Sequence, residues 1–266
     1  MRKPQPKKTD EPERDVVLKL TGLLKRYDDT IAVDGIDLTV REGSFYGIVG
    51  PNGAGKTTTL SMVTGLLRPD GGTVEVHGAD VWSDPDAAKR AMGVLPDRLR
   101  LFDRLTGSQL LYYTAMLRGI RGPEARQRIA DLGRAFDMVE ALTRLVSDYS
   151  DGMAKKIALA AAMIHSPRIL VLDEPFESVD SVSAGVITGI LDRYVKAGGT
   201  VVLSSHSMNM VERVCDHIAV IAGGTLLAFG STDEVRDGLS LEERFLQLVG
   251  AEQTTEELEW LSRFSG

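Results

Sequence analysis

A glycine-rich loop between an apolar run and a helix-forming segment is the feature that most constrains the fold. The loop reads Gly50-Pro51-Asn52-Gly53-Ala54-Gly55-Lys56-Thr57 and matches the pattern G-x-x-x-x-G-K-[ST] in full. Phe45–Val49 before it predicts a buried parallel strand, and residues 55–66 after it predict a helix. Glycines let backbone N–H groups converge on phosphate oxygens, and a helix N-terminus adds partial positive charge. The loop therefore predicts a nucleotide site in which Lys56 reaches the β- and γ-phosphates and Thr57 binds Mg²⁺.

A second motif places two carboxylates at the end of an apolar strand. Residues 169–172 are all apolar, and Asp173, Glu174 and Pro175 follow them. Ligands of open α/β sheets bind outside the carboxyl ends of the strands, so both carboxylates are expected beside the phosphates. Asp173 would hold Mg²⁺, and Glu174 would orient or deprotonate the attacking water. A pair of solvated carboxylates is the alternative interpretation, and the presence of the first motif disfavours it.

Strand and helix signals alternate on both sides of a helical block. Further strands are predicted at 16–20, 36–40 (both of edge type), 73–77, 93–96, 169–172 and 201–204, with a terminal hairpin over 218–229. Helices are predicted at 84–92, 107–118, 123–139, 151–164, 182–196, 241–249 and 256–264. The alternation predicts an α/β fold with a mostly parallel sheet, and the run of helices predicts a helical subdomain inserted into it.

Composition and charge exclude several classes of protein. With 31 basic against 38 acidic residues the net charge is -7, which argues against a nucleic-acid partner, because binding to DNA or RNA depends on releasing counterions with basic side chains. The single cysteine, Cys215, excludes an internal disulfide and favours a reducing compartment. The longest uncharged apolar run, 157–164, is far too short to span a membrane. Any membrane part is therefore expected on another chain.

The two motifs and the residues around them resemble the ATP-binding cassette (ABC) ATPases, from about Val16 to Gly230. The resemblance implies a P-loop NTPase (RecA-like) core at 16–95 and 165–230, a helical subdomain at 96–164 and an N-terminal antiparallel β subdomain. A disordered tail at 1–15 and a C-terminal helical extension at 231–266 would flank this single nucleotide-binding domain.

The resemblance also implies roles for individual residues. Tyr27 stands where the family's adenine-stacking aromatic is expected, and the phosphate contacts extend to Thr58. Ser150 and the backbone of Gly152 would bind the γ-phosphate of ATP held by a second cassette in a head-to-tail dimer. The remaining implied residues are His206 as the catalytic switch histidine, Asp180 in communication between the cassettes, and Asp97 beside Mg²⁺.

Two positions depart from the family pattern. Asp97 replaces the usual glutamine, which we interpret as a tolerated variant. Asp151 replaces a glycine of the signature, and its carboxylate would repel the γ-phosphate unless it points away or meets a cation such as Lys155 or Lys156. These two lysines are otherwise expected on a solvated helix face.

The segments 95–106 and 149–153 are most similar to the exporter-type cassettes that pair with a separate permease. The sequence thus predicts the ATPase subunit of an exporter, peripheral on the cytoplasmic face of the membrane, with Phe102 and Leu105 in the groove that receives the permease. One alternative is a soluble ABC ATPase without a membrane partner, such as a cluster-assembly subunit. The other is a regulatory module that binds ATP without turnover, for which Asp151 is the only support.

Overall fold

A computed structural model describes residues 15–97 and 100–250 of the 266-residue chain. Its strands are β1 (Val16–Tyr27), β2 (Thr30–Arg41), β3 (Phe45–Val49), β4 (Gly71–Val76), β5 (Ala79–Asp80), β6 (Met92–Leu95), β7 (Ile169–Asp173), β8 (Thr200–Ser205), β9 (His217–Ala222) and β10 (Thr225–Ser231). Its α-helices are α1 (Lys56–Val63), α2 (Pro85–Ala91), α3 (Gly107–Leu117), α4 (Gly122–Ala135), α5 (Asp151–Met163), α6 (Ser181–Lys196), α7 (Met208–Val214), α8 (Thr232–Arg236) and α9 (Leu241–Val249).

A six-stranded sheet forms the centre of the molecule, with the strand order β10-β9-β3-β8-β7-β6. All neighbouring pairs are parallel except β9 and β10, which form the predicted hairpin. Strand β8 lies between β3 and β7, and Asp173 is in register with Ser204. The segments that leave the carboxyl ends of β3, β8, β7 and β6 therefore meet at one edge of the sheet.

A four-stranded antiparallel sheet has the order β2-β1-β4-β5. The prediction of edge strands is right for β2 and wrong for β1, which pairs with β2 on one side and β4 on the other. Strand β4 lies more than 40 residues further along the chain, and its return to β1 leaves no local signal in the sequence of β1. This sheet is the antiparallel β subdomain that the sequence predicts.

The parallel sheet is buried on both faces because side chains alternate along each strand. Tyr46 and Val202 face one core, which includes the antiparallel sheet and α1. Phe45 and Val201, their chain neighbours, face a second core, which includes the helices α3 to α6. The α/β fold class is therefore confirmed, with a helix layer on one face and a β layer on the other.

Helices α3, α4 and α5, with 3₁₀ turns at Ala141–Thr143 and Val146–Asp148, occupy the interval where a helical subdomain is predicted. Asp84 caps α2, and Thr106 caps α3 within a capping box, as the sequence predicts. No helix within 15–97 and 100–250 has the length and apolarity of a membrane span. The predicted tail lies outside the described residues up to residue 14, and so does the helix predicted at 256–264.

Candidate functional site

The loop after β3 is shaped by glycines and closed by a lysine. Gly55 has φ of 102°, and a Cβ there would lie 2.4 Å from the carbonyl oxygen of Ala32, so only glycine fits without strain. Lys56 opens α1, is 5% exposed, and its ammonium donates to the carbonyl oxygens of Gly50 (2.9 Å) and Pro51 (3.1 Å). The loop is thus a preformed turn with its positive charge held inside it.

A cleft of about 450 Å³ lies over this loop. Its lining includes Tyr27, Asn52, Gly53, Ala54, Gly55, Lys56, Thr57, Thr58, Asp97, Glu174, Glu177 and His206. A second cavity of about 390 Å³ shares Thr57 and Asp97 with this cleft and is also lined by Asp173. Residues predicted to bind the nucleotide and Mg²⁺ therefore lie around two adjoining cavities above the loop at 50–57.

The carboxylate of Asp173 is held by hydroxyl groups from two neighbouring segments. Thr57 Oγ1 donates to Asp173 Oδ1 at 3.3 Å, and the Ser204 hydroxyl forms a short hydrogen bond to the same oxygen. Burial raises the pKa of Asp173, and the hydrogen bonds from Ser204 and Thr57 partly oppose this shift. Ser204 also accepts from the Glu174 backbone N–H at 3.0 Å, so one buried hydroxyl connects both acidic residues.

Glu174 is placed between the Lys56 ammonium and the His206 imidazole. Its Oε1 lies 3.7 Å from Lys56 Nζ, and its Oε2 lies 3.1 Å from His206 Nδ1. The residue is 8% exposed and has φ of 46°, a left-handed backbone conformation that is uncommon for a residue with a side chain. Such conformations concentrate at functional sites, where neighbouring contacts hold them in place.

Ser150, Gly152 and Asp180 are not among the residues lining the cleft, but they lie close to one another. Ser150 caps α5, and its Oγ accepts from the Met153 N–H at 3.3 Å. A Cβ added to Gly152 would lie 3.0 Å from Asp180 Oδ2 and 3.0 Å from Ser183 Oγ, so α5 packs closely against the start of α6 at this position. The residues predicted to face a second cassette thus share one patch.

The prediction that Lys155 and Lys156 lie on a solvated helix face is wrong. They are 8% and 7% exposed, and Lys155 Nζ donates to the carbonyl oxygen of Glu174 at 2.8 Å. Charge alone favours solvent for both lysines, but α5 packs beneath the loop after β7, which takes this face of the helix out of water. Burial lowers the pKa of Lys155, while Glu177, Asp97 and other nearby carboxylates oppose the shift.

Asp151 lies one helical turn before Lys155 on the same side of α5, at the N-terminal end of the helix. It is exposed and lines a cavity of about 380 Å³ together with Asp97, Asp103, Lys155, Glu177 and Ser178. We call this the acidic cavity. It adjoins the cleft through Asp97 and Glu177, which line both. Lys155 lines the same cavity, but its ammonium donates to the Glu174 carbonyl oxygen, so neutralisation of Asp151 by a lysine stays a prediction.

Sequence comparison agrees with this geometry. The ABC transporter family model matches residues 33–177. The chain is 39% identical over 239 residues to the daunorubicin/doxorubicin resistance ATP-binding protein DrrA of Streptomyces peucetius, covering 90% of this chain and 72% of that protein. It is 34% identical over 232 residues to the ABC transporter ATP-binding protein NatA of Bacillus subtilis, covering 85% of this chain and 94% of NatA.

Solved structures agree as well. A structure described as the ATP-binding subunit of an ABC transporter superposes with a TM-score of 0.82 at 26% identity, covering 88% of this chain and 99% of that chain. The fold and the site thus define a nucleotide-binding cassette. The chain belongs to the ABC transporter family, and its activity is ATP hydrolysis coupled to transport.

Sequence reasoning missed Ser204 and Glu177 in this site, and it missed the burial of Lys155. Ser204 stands at the carboxyl end of a predicted strand, where residues of ligand sites are expected, so its position could have indicated a role. The order of the strands, which places Ser204 beside Asp173, is not available from one sequence.

Proposed function

We propose that this chain powers an exporter by hydrolysing Mg²⁺-bound ATP in the cleft above the loop at 50–57. The observation that supports this most directly is the convergence of Lys56, Asp173, Glu174 and His206 at the carboxyl ends of adjacent strands. We assign the nucleotide-binding domain to residues 16–230. Within it the backbone N–H groups of 50–58 would surround the phosphates, and the half-exposed Tyr27 ring would stack on the adenine.

The residues around Asp173 suit a magnesium ion carried by the nucleotide. The described residues show no group of three or more His, Cys, Asp or Glu side chains that could hold a metal by themselves. Mg²⁺ at nucleotide sites is usually held by one or two protein oxygens together with phosphate oxygens, and the contact between Thr57 Oγ1 and Asp173 fits that donor set. Asp97 would hold a metal-bound water. The bound ion would offset phosphate charge as the bond to the γ-phosphate breaks.

Glu174 would orient the attacking water and accept its proton. One carboxylate oxygen lies 3.1 Å from His206 Nδ1, within hydrogen-bond distance, and the other lies 3.7 Å from the Lys56 ammonium, so His206 would hold the carboxylate in orientation as the reaction begins. Lys56 would shift from the loop carbonyls to phosphate oxygens, and His206 would keep Glu174 directed toward the γ-phosphate.

A second cassette would complete the site from the opposite side. Ser150 and Gly152 would contact the γ-phosphate bound by the other chain. Asp180 would contribute to communication between the two nucleotide sites. Lys155 lines the acidic cavity together with Asp151, and its positive charge would reduce the repulsion that Asp151 exerts on the γ-phosphate.

A separately encoded permease would hold this dimer at the cytoplasmic face of the membrane. Relatives named for drug resistance support an exporter. Phe102 is 70% exposed and Leu105 is half-buried, so both are available to the predicted groove. Crosslinking from Phe102→Cys should capture the permease in membranes, whereas capture only from a cysteine at exposed Lys196 would contradict this assignment.

The test is Glu174→Gln in the full chain, which removes the proton acceptor and preserves shape. We expect ATP turnover to fall by about 100-fold or more, with ATP binding retained and an ATP-trapped dimer on size exclusion. Glu242→Gln, an exposed carboxylate on α9, is the matched control. Normal turnover by Glu174→Gln would refute the assigned chemistry, and co-purification with a permease from solubilised membranes separates a transporter from a soluble ATPase.

A further inference from the structure

The backbone of Glu174 is held in its left-handed conformation from both ends. Its N–H donates to Ser204 Oγ at 3.0 Å, and its carbonyl oxygen accepts from Lys155 Nζ at 2.8 Å and from the Glu177 N–H, within the same loop, at 3.2 Å. A residue with a side chain adopts such a φ only where its surroundings enforce it. Ser204 comes from the next strand, β8, whereas Lys155 comes from α5, which leads out of the helical block. The peptide that aims the carboxylate is therefore clamped by two different layers of the protein.

Burying Lys155 costs more free energy than burying an apolar side chain at the same position. Its side chain is 8% exposed, and removing an ammonium from water costs free energy that one carbonyl contact only partly offsets. An apolar side chain would join α5 to the loop after β7 at lower cost. The charge is kept where the carboxylates of Asp97, Asp151 and Glu177 line the adjoining acidic cavity. Its hydrogen bond, however, goes to the backbone of Glu174.

We propose that Lys155 is a positioning residue for ATP hydrolysis, which holds the Glu174 carbonyl and thereby directs the Glu174 carboxylate into the cleft. The inference rests on the proposed role of Glu174 toward the attacking water. Lys155 belongs to α5, the helix whose N-terminal end carries Ser150 and Gly152. A shift of α5 along its axis would pull on the Glu174 peptide, so the signature end of the helix and the water-activating carboxylate are mechanically coupled.

The test compares Lys155→Met with Lys155→Arg and with Lys196→Met as an exposed control on α6, by steady-state ATPase assays on the full chain. We expect Lys155→Met to lower kcat by about tenfold or more with KM for ATP within about twofold of wild type. Lys155→Arg retains a donor and should recover most of kcat, and Lys196→Met should match wild type. A purely structural lysine would give losses in kcat that follow the loss of folded protein. If Lys155→Met does not fold, Lys155→Gln carries the same comparison.

A double variant tests whether Lys155 acts through Glu174. In single-turnover assays Lys155→Met should slow an otherwise wild-type chain but should not further slow Glu174→Gln, because the carboxylate it positions is gone. Full additivity of the two changes would overturn the proposal. So would wild-type kcat in Lys155→Met, or a rise in KM that accounts for its whole loss of kcat/KM. If Glu174→Gln itself turns over normally, the failure belongs to the proposed function instead.

Discussion

Ser204 shows how one small side chain can organise two acidic residues. Its hydroxyl donates to the Asp173 carboxylate and accepts from the Glu174 backbone N–H, in a position with no solvent exposure. A hydroxyl is the smallest group that can do both at once. The pair of carboxylates therefore depends on a residue that carries no charge and reaches no nucleotide.

Ser204→Ala should lower the free energy of unfolding by about 1–3 kcal/mol, because it leaves a buried carboxylate and a buried amide each short of a partner. Urea unfolding monitored by circular dichroism measures this. The exposed Ser147→Ala should stay within about 0.5 kcal/mol of wild type. A loss no larger than that of Ser147→Ala would contradict the bridging role.

His165 is a partly buried histidine whose Nε2 lies 3.1 Å from the Met92 carbonyl oxygen, while its buried Nδ1 has no partner among the described residues. Burial, and secondarily the charge of Arg118, lowers its pKa from 6.5 to about 4. As the pH falls, His165 therefore binds a proton near pH 6.5 in the unfolded chain but only near pH 4 in the folded protein. The stability that neutral His165 provides is complete above pH 6.5 and is lost as the pH falls toward 4.

We expect wild type to lose about 2 kcal/mol more than His165→Gln between pH 7 and pH 5, since the glutamine does not titrate. Urea denaturation of both proteins at the two pH values measures the difference. Equal acid sensitivity would mean that folding does not lower the pKa of His165.

Single elements were largely predictable because their signals are local. β3, α2, α3 and the β9–β10 hairpin are found within a few residues of their predicted bounds. The helix predicted to reach residue 139 ends at Ala135 instead, and Asp137 takes φ of 54° beyond it. Burial of Phe136 and Met138 in the core fixes that turn, and this is a tertiary contact that periodicity along the chain does not report.

Helix α3 offers a test at the scale of one element. Thr106 Oγ1 accepts from the Gln109 N–H, and the Gln109 side chain accepts from the Thr106 N–H in return. Thr106→Ala should lower the free energy of unfolding by about 1 kcal/mol, because an N–H of the first turn loses its acceptor. Thr143→Ala, at an exposed hydroxyl, is the control for thermal or urea unfolding. Equal effects of the two changes would exclude a capping contribution.

At the scale of the whole molecule, the two motifs that form the cleft were predictable, but the long-range contacts that join them were not. The two motifs, with Lys56, Asp173 and Glu174, are legible in the sequence because each has a fixed local spacing. The burial of Lys155 and the bridge through Ser204 depend on strand order and on how α5 packs under β7. These contacts join residues that are distant in sequence. The charge of Lys155 alone predicts that it is exposed, whereas it is buried.

Nucleotide binding should stabilise the whole fold, since the cleft joins Tyr27 of β1 to the segments that follow β3, β6, β7 and β8. With Mg²⁺ and ATP at about 100 times Kd, Glu174→Gln protein should gain about 2.7 kcal/mol against urea. Adding Lys56→Ala should remove most of that gain by weakening binding, whereas adding Lys196→Ala should not. Equal gains for both double variants would show that Lys56 does not contact the nucleotide.

Gly152 lies directly against the side chains of Asp180 and Ser183, so two stretches of chain that are distant in sequence meet at a close contact. A methyl group at residue 152 would press on both side-chain oxygens, which would have to move aside by a few tenths of an ångström. The first turn of α5 and the first turn of α6 are therefore expected to shift together when a second cassette docks on this patch.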